Sequence, residues 1–406
     1  MLTDVFLAAR SIARQRRRSA FALAAIAFGV AALIVANGFV DWIMFKHRET
    51  TITSQFGHIQ VTRKGYSEDG MADPFRYLLA KASPVQDSIE RLPEVRVLGR
   101  RLAFSGLVSR GDETVSFVAE GVEPDKEEVL SSSLRVPKGA NLSLDDPKGI
   151  ILGLGLAANL GVDVGDSVVL MANTATGSVN AVECRVRGLF ATMSKAYDDV
   201  ALRVPLSVAQ RLLKVDGAHV WAVLLEETDQ TGRTLQTLRE RHAGEGLVFT
   251  EWIELADFHV KAVSLLAKQA GVMKVIIAVI IVLSIFNTMM MSVMERTGEI
   301  GTAMALGLTR RTILRMILVE GAMLGTVGGI LGLALGTMLA WVISYIGIPM
   351  PPPPGQSWGF MGEVMVSARL AVDAFILAVV STLIASIIPA RTASGMVIVD
   401  ALRFNR

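Results

Sequence analysis

The chain is poor in the groups that usually carry chemistry. It has one cysteine, Cys184, in 406 residues, so no intrachain disulfide can form. Its five histidines, His47, His58, His219, His242 and His259, show no ligand spacing with one another or with Cys184, which argues against a metal site. No Gly-Lys dipeptide occurs, so the phosphate-binding loop G-x-x-x-x-G-K-[ST] is absent. No G-x-S-x-G nucleophile motif is present either. The run Gly153 to Asp166 matches G-x-G-x-x-A, but a turn at Gly161 to Asp166 interrupts it and no acidic residue follows at the dinucleotide-fold spacing. A short helix, a turn and a strand explain that run better. A net charge of +2 argues against a nucleic-acid partner. No catalytic residue, metal ligand or cofactor is assigned to this chain.

Charge itself is scarce: 19% of residues are charged and 51% are hydrophobic, with mean hydropathy +0.47. Membrane spans therefore come first. Residues 1–18 place Leu2, Val5, Phe6, Ala9, Ile12 and Ala13 at helical spacing and end in Arg14, Arg16, Arg17 and Arg18. They read as an interfacial helix, with a disordered basic leader as the alternative. Spans are expected at 19–43, 270–294, 313–346 and 370–389. The first apolar run is too long for a signal-peptide core and reads as an uncleaved anchor. Residues 44–266 hold alternating segments and turn signals but no spanning run, so they read as a soluble α+β domain inserted between the first two spans. The loop 347–369 carries four consecutive prolines, Pro351 to Pro354, which favour an extended segment. Arginines cluster before the first span, in 295–312 and in the tail 390–406. The positive-inside rule puts all three in the cytoplasm and the large domain outside.

The chain is organised around Met294 to Gly321. This stretch is charged at its front (Glu295, Arg296, Glu299), small and apolar in the middle, and basic at its end (Arg310, Arg311, Arg315). It reads as a short amphipathic helix broken at Gly307 that leads into the third span. Two glycine lines follow, Gly321, Gly325, Gly329 and Gly328, Gly332, Gly336. Such lines let helix backbones approach closely, either within the chain or at a dimer seam. Glu320 needs a partner: Arg315, another subunit, or a proton-relay role. Phe39, Trp42, Ile43 and Phe45 prolong the first span. Phe258, Leu265 and Leu266 precede the second. These stalks either pack on each other or form an apolar vestibule for an acyl chain.

The order of one span, a large domain and three spans, with the ERTGEIGTAMALG and RRTILRMILVEG runs and an end reading IIPARTASGMVIVDALR, resembles the four-span permeases of the MacB/LolC/LolE/FtsX superfamily of ABC transporters. Glu295, Arg296, Thr297, Glu299, Ile300, Gly301, Ala305, Gly307, Ile313, Glu320 and Gly321 fit the family's loop. Pro389, Ala390, Ala393, Ala401, Leu402 and Arg403 fit its tail, with Val399 where the family usually has proline. The layout is most like lipoprotein-releasing permeases. The resemblance implies an α-helical membrane protein of the bacterial inner membrane with a MacB-like periplasmic domain and both termini cytoplasmic. It implies a second permease subunit and a separate cytoplasmic ATPase that supplies ATP and magnesium. That ATPase would be contacted through Glu295, Arg296, Glu299, Ile300, Met304, Leu306 and Gly307. Lipoprotein cargo, membrane lipids and a periplasmic carrier or adaptor are implied partners. MacB-like efflux and FtsX-like activation of a cell-wall hydrolase are the alternatives.

Overall fold

A computed structural model describes residues 16–70, 72–81, 83–192, 194–351 and 359–398. Most of 1–18, the prolines 352–354 and the end of the tail, with the family match from Val399 to Arg403, lie outside them. The chain divides into two compact units, one of 1–45, 262–349 and 361–406, the other of 46–261 and 350–360.

Among the described residues, four helices are long and apolar enough to cross a membrane: Arg16–Thr51, Asp257–Glu295, Arg310–Ile346 and Ala368–Gly395. Each is longer than the expected span, because hydropathy marks only the apolar stretch whereas a helix continues until its backbone bonds are interrupted. The third begins where Thr309 Oγ1 accepts from Thr312 N–H at 3.3 Å. The fourth begins where Ser367 Oγ accepts from Leu370 N–H at 3.1 Å, in each case a side-chain cap on an orphan donor. The fourth also runs through Pro389, so the first part of the tail at 390–406 is helical. Proline removes one bond, to the carbonyl four residues back, and a membrane helix tolerates that loss.

The glycine lines are filled within the chain. A Cβ added at Gly328 would stand 2.8 Å from Ile26 Cβ, at Gly332 2.6 Å from Val30 Cβ, and at Gly336 2.8 Å from Ile34 Cδ1. That line receives the first helix. The other receives the fourth: Gly321 faces Ser386, Gly325 faces Thr382 and Val379, and Gly329 faces Phe375. Ser386 Oγ also donates to the Thr382 carbonyl at 2.6 Å and reaches Met289 Sδ at 2.9 Å. Lys274 of the second helix lies 3.9 Å from the Asp373 carboxylate of the fourth.

The unit 46–261 is built on one mixed sheet of ten strands: β1 Ile59–Arg63, β2 Val95–Arg110, β3 Glu113–Val122, β4 Arg135–Gly139, β5 Gly149–Gly153, β6 Ser167–Asn173, β7 Val179–Ala191, β8 Ala201–Pro205, β9 Val220–Leu225 and β10 Leu247–Glu251. Their order is β10-β1-β9-β2-β3-β8-β5-β7-β4, with β6 pairing β2 and β7. The β2–β3 hairpin turns on Gly111 and Asp112, with Gly111 at φ 59°, a position that favours glycine. Helices Leu154–Leu160 and Leu206–Leu213 join a core containing Leu102, Phe117, Ile150 and Leu170. Helix Thr231–Arg241 joins a second with Ile59, Val61, Trp221 and Phe249.

The G-x-G run does follow a strand and open a helix. However, a Cβ at Gly153 would lie 2.8 Å from Asp198 Cα, and one at Gly155 2.8 Å from Asp199 Cα. The chain's own acidic turn fills the place a phosphate would need.

Candidate functional site: the loop after the second long helix

Two hydroxyls and one glycine shape this loop. Thr297 Oγ1 donates to the Val293 and Met294 carbonyls at 3.2 and 2.7 Å, satisfying the end of the preceding helix. A short helix, Thr297–Ala305, follows. It stops at Gly307, whose φ of 100° is open to glycine at little cost. There Gly307 N–H donates to the Met304 carbonyl and Leu308 N–H to the Ala303 carbonyl, both at 3.1 Å.

The short helix has two faces. Ile300 and Met304 are 6% and 7% exposed and share a core cluster with Val293, Ile313 and Ile317. Glu295, Glu299, Thr302 and Leu306 are exposed, Leu306 by 81%. Glu299 and Thr302, three residues apart, share one face of the short helix, while Glu295 ends the preceding helix and Leu306 caps this one. The expected contact set is therefore divided between the two faces. Ile300 and Met304 hold the helix to the membrane bundle and do not face outward, because burying two large apolar side chains is worth a few kcal/mol.

Ion pairs tie the short helix to two long ones. Arg18 of the first helix grips both carboxylate oxygens of Glu295. Arg296 turns inward, with its Nη1 3.5 Å from Glu320 and its Nε 3.7 Å from Glu299. Arg296 is thus one cation set beside Glu320. Both Arg296 separations are long for charge-assisted bonds, and a cavity of about 120 Å³ lies beside them, lined by Arg18, Met289, Arg296, Ile300, Ile317 and Glu320 among others. The local arrangement is a helix fixed on its inner face by apolar packing and at its start by arginines. It offers two carboxylates, a hydroxyl and a leucine to the outside.

Of the residues expected to line a vestibule, Phe39 stacks on Trp42 with ring centres 6.5 Å apart. A Cβ at Gly362 would meet the Phe39 ring at 2.7 Å. Ile43 and Leu266 are half-buried, and Phe45 and Leu265 are exposed. The side chain of Phe258 lies outside the described residues. No group of three or more histidine, cysteine, aspartate or glutamate side chains that could hold a metal occurs among the described residues.

Comparison with known proteins gives two family matches. The FtsX-like permease C-terminal model matches residues 271–398, and the MacB-like periplasmic core domain model matches 19–241. Lipoprotein-releasing system transmembrane protein LolC of Xylella fastidiosa (strain 9a5c) is 29% identical over 58% of this chain and 59% of its own length. The chain thus spans about three fifths of that relative's length. Lipoprotein-releasing system transmembrane protein LolE of Haemophilus influenzae (strain ATCC 51907 / DSM 11121 / KW20 / Rd) is 23% identical over 79% of this chain and 76% of its own length. The crystal structure of the periplasmic region of MacB from Actinobacillus actinomycetemcomitans aligns with a TM-score of 0.36 and 13% identity, over 50% of this chain and 92% of that one.

Proposed function

Because the chain belongs to the FtsX-like, MacB-like family of ABC transporter permeases, we propose that it is the non-catalytic subunit through which a separate cytoplasmic ATPase moves the large domain on the other side of the membrane. The observation that carries this reading is the short helix Thr297–Ala305. Its inner face is locked to the bundle by Ile300 and Met304, while Glu295, Glu299, Thr302 and Leu306 stay outside. A helix held this way passes a displacement at its outer face on to the first and third long helices through Arg18–Glu295 and Arg296–Glu320. ATP and magnesium belong to the partner chain. The basic segments lie in the cytoplasm, the unit 46–261 lies in the periplasm, and a second permease subunit completes the assembly. The glycine lines are taken up inside this chain, so the seam with that subunit uses other residues.

The cargo is lipoprotein, extracted from the inner membrane for delivery towards the outer membrane. Two relatives named as lipoprotein-releasing proteins support this. So does the run of aromatic and apolar side chains from Phe39 to Phe45, with Leu265 and Leu266, suited to acyl chains. The test is purification of the full chain in a gentle detergent with mass spectrometry of everything it retains. An ATPase together with acylated lipoproteins is the expected result. An ATPase with an adaptor or a cell-wall hydrolase and no acylated cargo would replace lipoprotein release by efflux or signalling. Absence of any ATPase would overturn the permease reading.

A further inference from the structure

Residues 46–56 bring the chain from the first long helix into the unit 46–261. They end in a π turn, Ile52–Phe56, in which Gly57 N–H reaches back five residues to the Ile52 carbonyl at 2.9 Å. A π turn leaves carbonyls off the regular ladder, and here two strand arginines and the turn at 131–133 take them. Ser133 N–H donates to the Thr53 carbonyl at 3.2 Å. Arg203 Nη2 and Ser131 Oγ both donate to the Ser54 carbonyl, at 3.0 and 3.3 Å. Arg101 Nη1 donates to the Gln55 carbonyl.

The two arginines come from different strands, Arg101 from β2 and Arg203 from β8. They share one acid, Glu127 of the helix Pro124–Leu130. Arg101 Nη2 lies 2.8 Å and Arg203 Nη1 3.1 Å from Glu127 Oε1. Arg203 also reaches Glu120 at 3.2 Å. Arg101, Glu127 and Arg203 are 4%, 4% and 1% exposed. Burial pushes the Glu127 carboxyl upward, but the two guanidinium groups more than offset this and hold it below its ordinary range. A buried ion cluster adds little net stability over well-packed apolar side chains, so stability alone does not account for two arginines here. What arginine adds is a planar fork that holds two acceptors at once in fixed directions.

We propose that Arg101 and Arg203 form a mechanical joint that passes a pull on residues 46–56 into the middle of the ten-stranded sheet. Each fork holds a π-turn carbonyl at one tip and Glu127 at another, and both strands lie inside the sheet order, away from its edges. Displacement of the turn is therefore resisted by two interior strands and a helix together. That such a pull arises rests on the proposed permease cycle, but the joint is testable without an ATPase.

The experiment is single-molecule stretching of the full chain in bicelles. Handles are attached at Lys46→Cys and Gln236→Cys, while Cys184 is buried and does not compete. A control axis uses Asp112→Cys with Gln236→Cys. Arg203→Lys and Arg101→Lys keep the charge but lose the fork. Along the first axis the rupture force falls by roughly half in either variant, since one of two charge-assisted holds is removed. Along the control axis it stays unchanged. An unaltered force on the first axis, or an equal fall on both axes, overturns the joint. Should a lysine variant fail to fold, Ser131→Ala removes a neutral donor from the Ser54 carbonyl and gives a smaller fall on the first axis only. Loss of the ATPase from the pull-down would leave this result standing, and failure of the joint would leave the permease reading intact.

Discussion

Gly332→Ala tests whether the first and third long helices pack as tightly as their backbones allow. The added Cβ would stand 2.6 Å from Val30 Cβ and 2.9 Å from the Ala27 carbonyl oxygen. Carbon atoms prefer about 3.5–4.0 Å, so the helices must part by roughly 1 Å. They have no local slack, because Gly328 and Gly336, one turn to either side, meet Ile26 and Ile34 just as closely. A gap of that size forfeits about a quarter to a half of each contact along the seam. Overpacking of this kind costs about 1–3 kcal/mol. Detergent-titrated unfolding followed by tryptophan emission reads the loss. Gly271→Ala is the control, since nothing lies within 4 Å of a Cβ there, and it should cost nothing. Val30→Gly removes the obstructing atom, so the double variant should lose about 1 kcal/mol less than the two single losses added together. If Gly332→Ala proves as mild as Gly271→Ala, or if the pair is additive, the close seam is wrong.

Glu299→Lys and Leu306→Asp change exposed side chains, so the chain should fold normally while its hold on a co-purifying ATPase weakens by about 2 kcal/mol, near thirtyfold. Met304→Asp instead buries a carboxylate beside apolar side chains, which costs several kcal/mol, and should show as lost monodisperse protein rather than selective uncoupling. Equal behaviour of all three would undo the two-faced reading of the short helix. His58 accepts from Leu225 N–H at Nδ1, 2.9 Å away, and its Nε2 is 3.0 Å from Thr228 Oγ1, so the neutral ring is the one that fits. Burial, aided by Arg48, lowers its pKa to about 4. The unfolded chain then binds the extra proton first, and the stability present above about pH 6.5 is lost as pH falls towards 4, by at most about 3 kcal/mol. A melting series should show that slope, and His58→Asn, which keeps an acceptor near Leu225, should flatten it. Cys184 is buried and its thiol is pushed up to about 11 by that burial. A maleimide should leave it unlabelled until the chain unfolds, and prompt labelling of native protein would contradict the core built around it.

The spans and the inserted domain were legible because both rest on long runs whose composition alone decides the medium they can occupy. Neighbours were not legible. Gly321, Gly325 and Gly329 differ in no local respect from Gly328, Gly332 and Gly336, yet one line takes the fourth helix and the other the first. Periodicity names a face and leaves its partner open. The short helix shows the same limit. Ile300, Met304 and Leu306 are all apolar in the sequence, and only the packing of the bundle separates the two that anchor from the one that faces outward. Arg101 and Arg203 were the least visible, since long-range ion pairing leaves no spacing to read. One signal was nonetheless available. β8 reads Ala-Leu-Arg-Val-Pro and is buried at every position, and a lone arginine in an otherwise apolar strand is costly unless it is fully paired. Such a residue points to a buried acid elsewhere in the chain. Here that acid, Glu127, sits on the helix next to the π turn that both arginines hold.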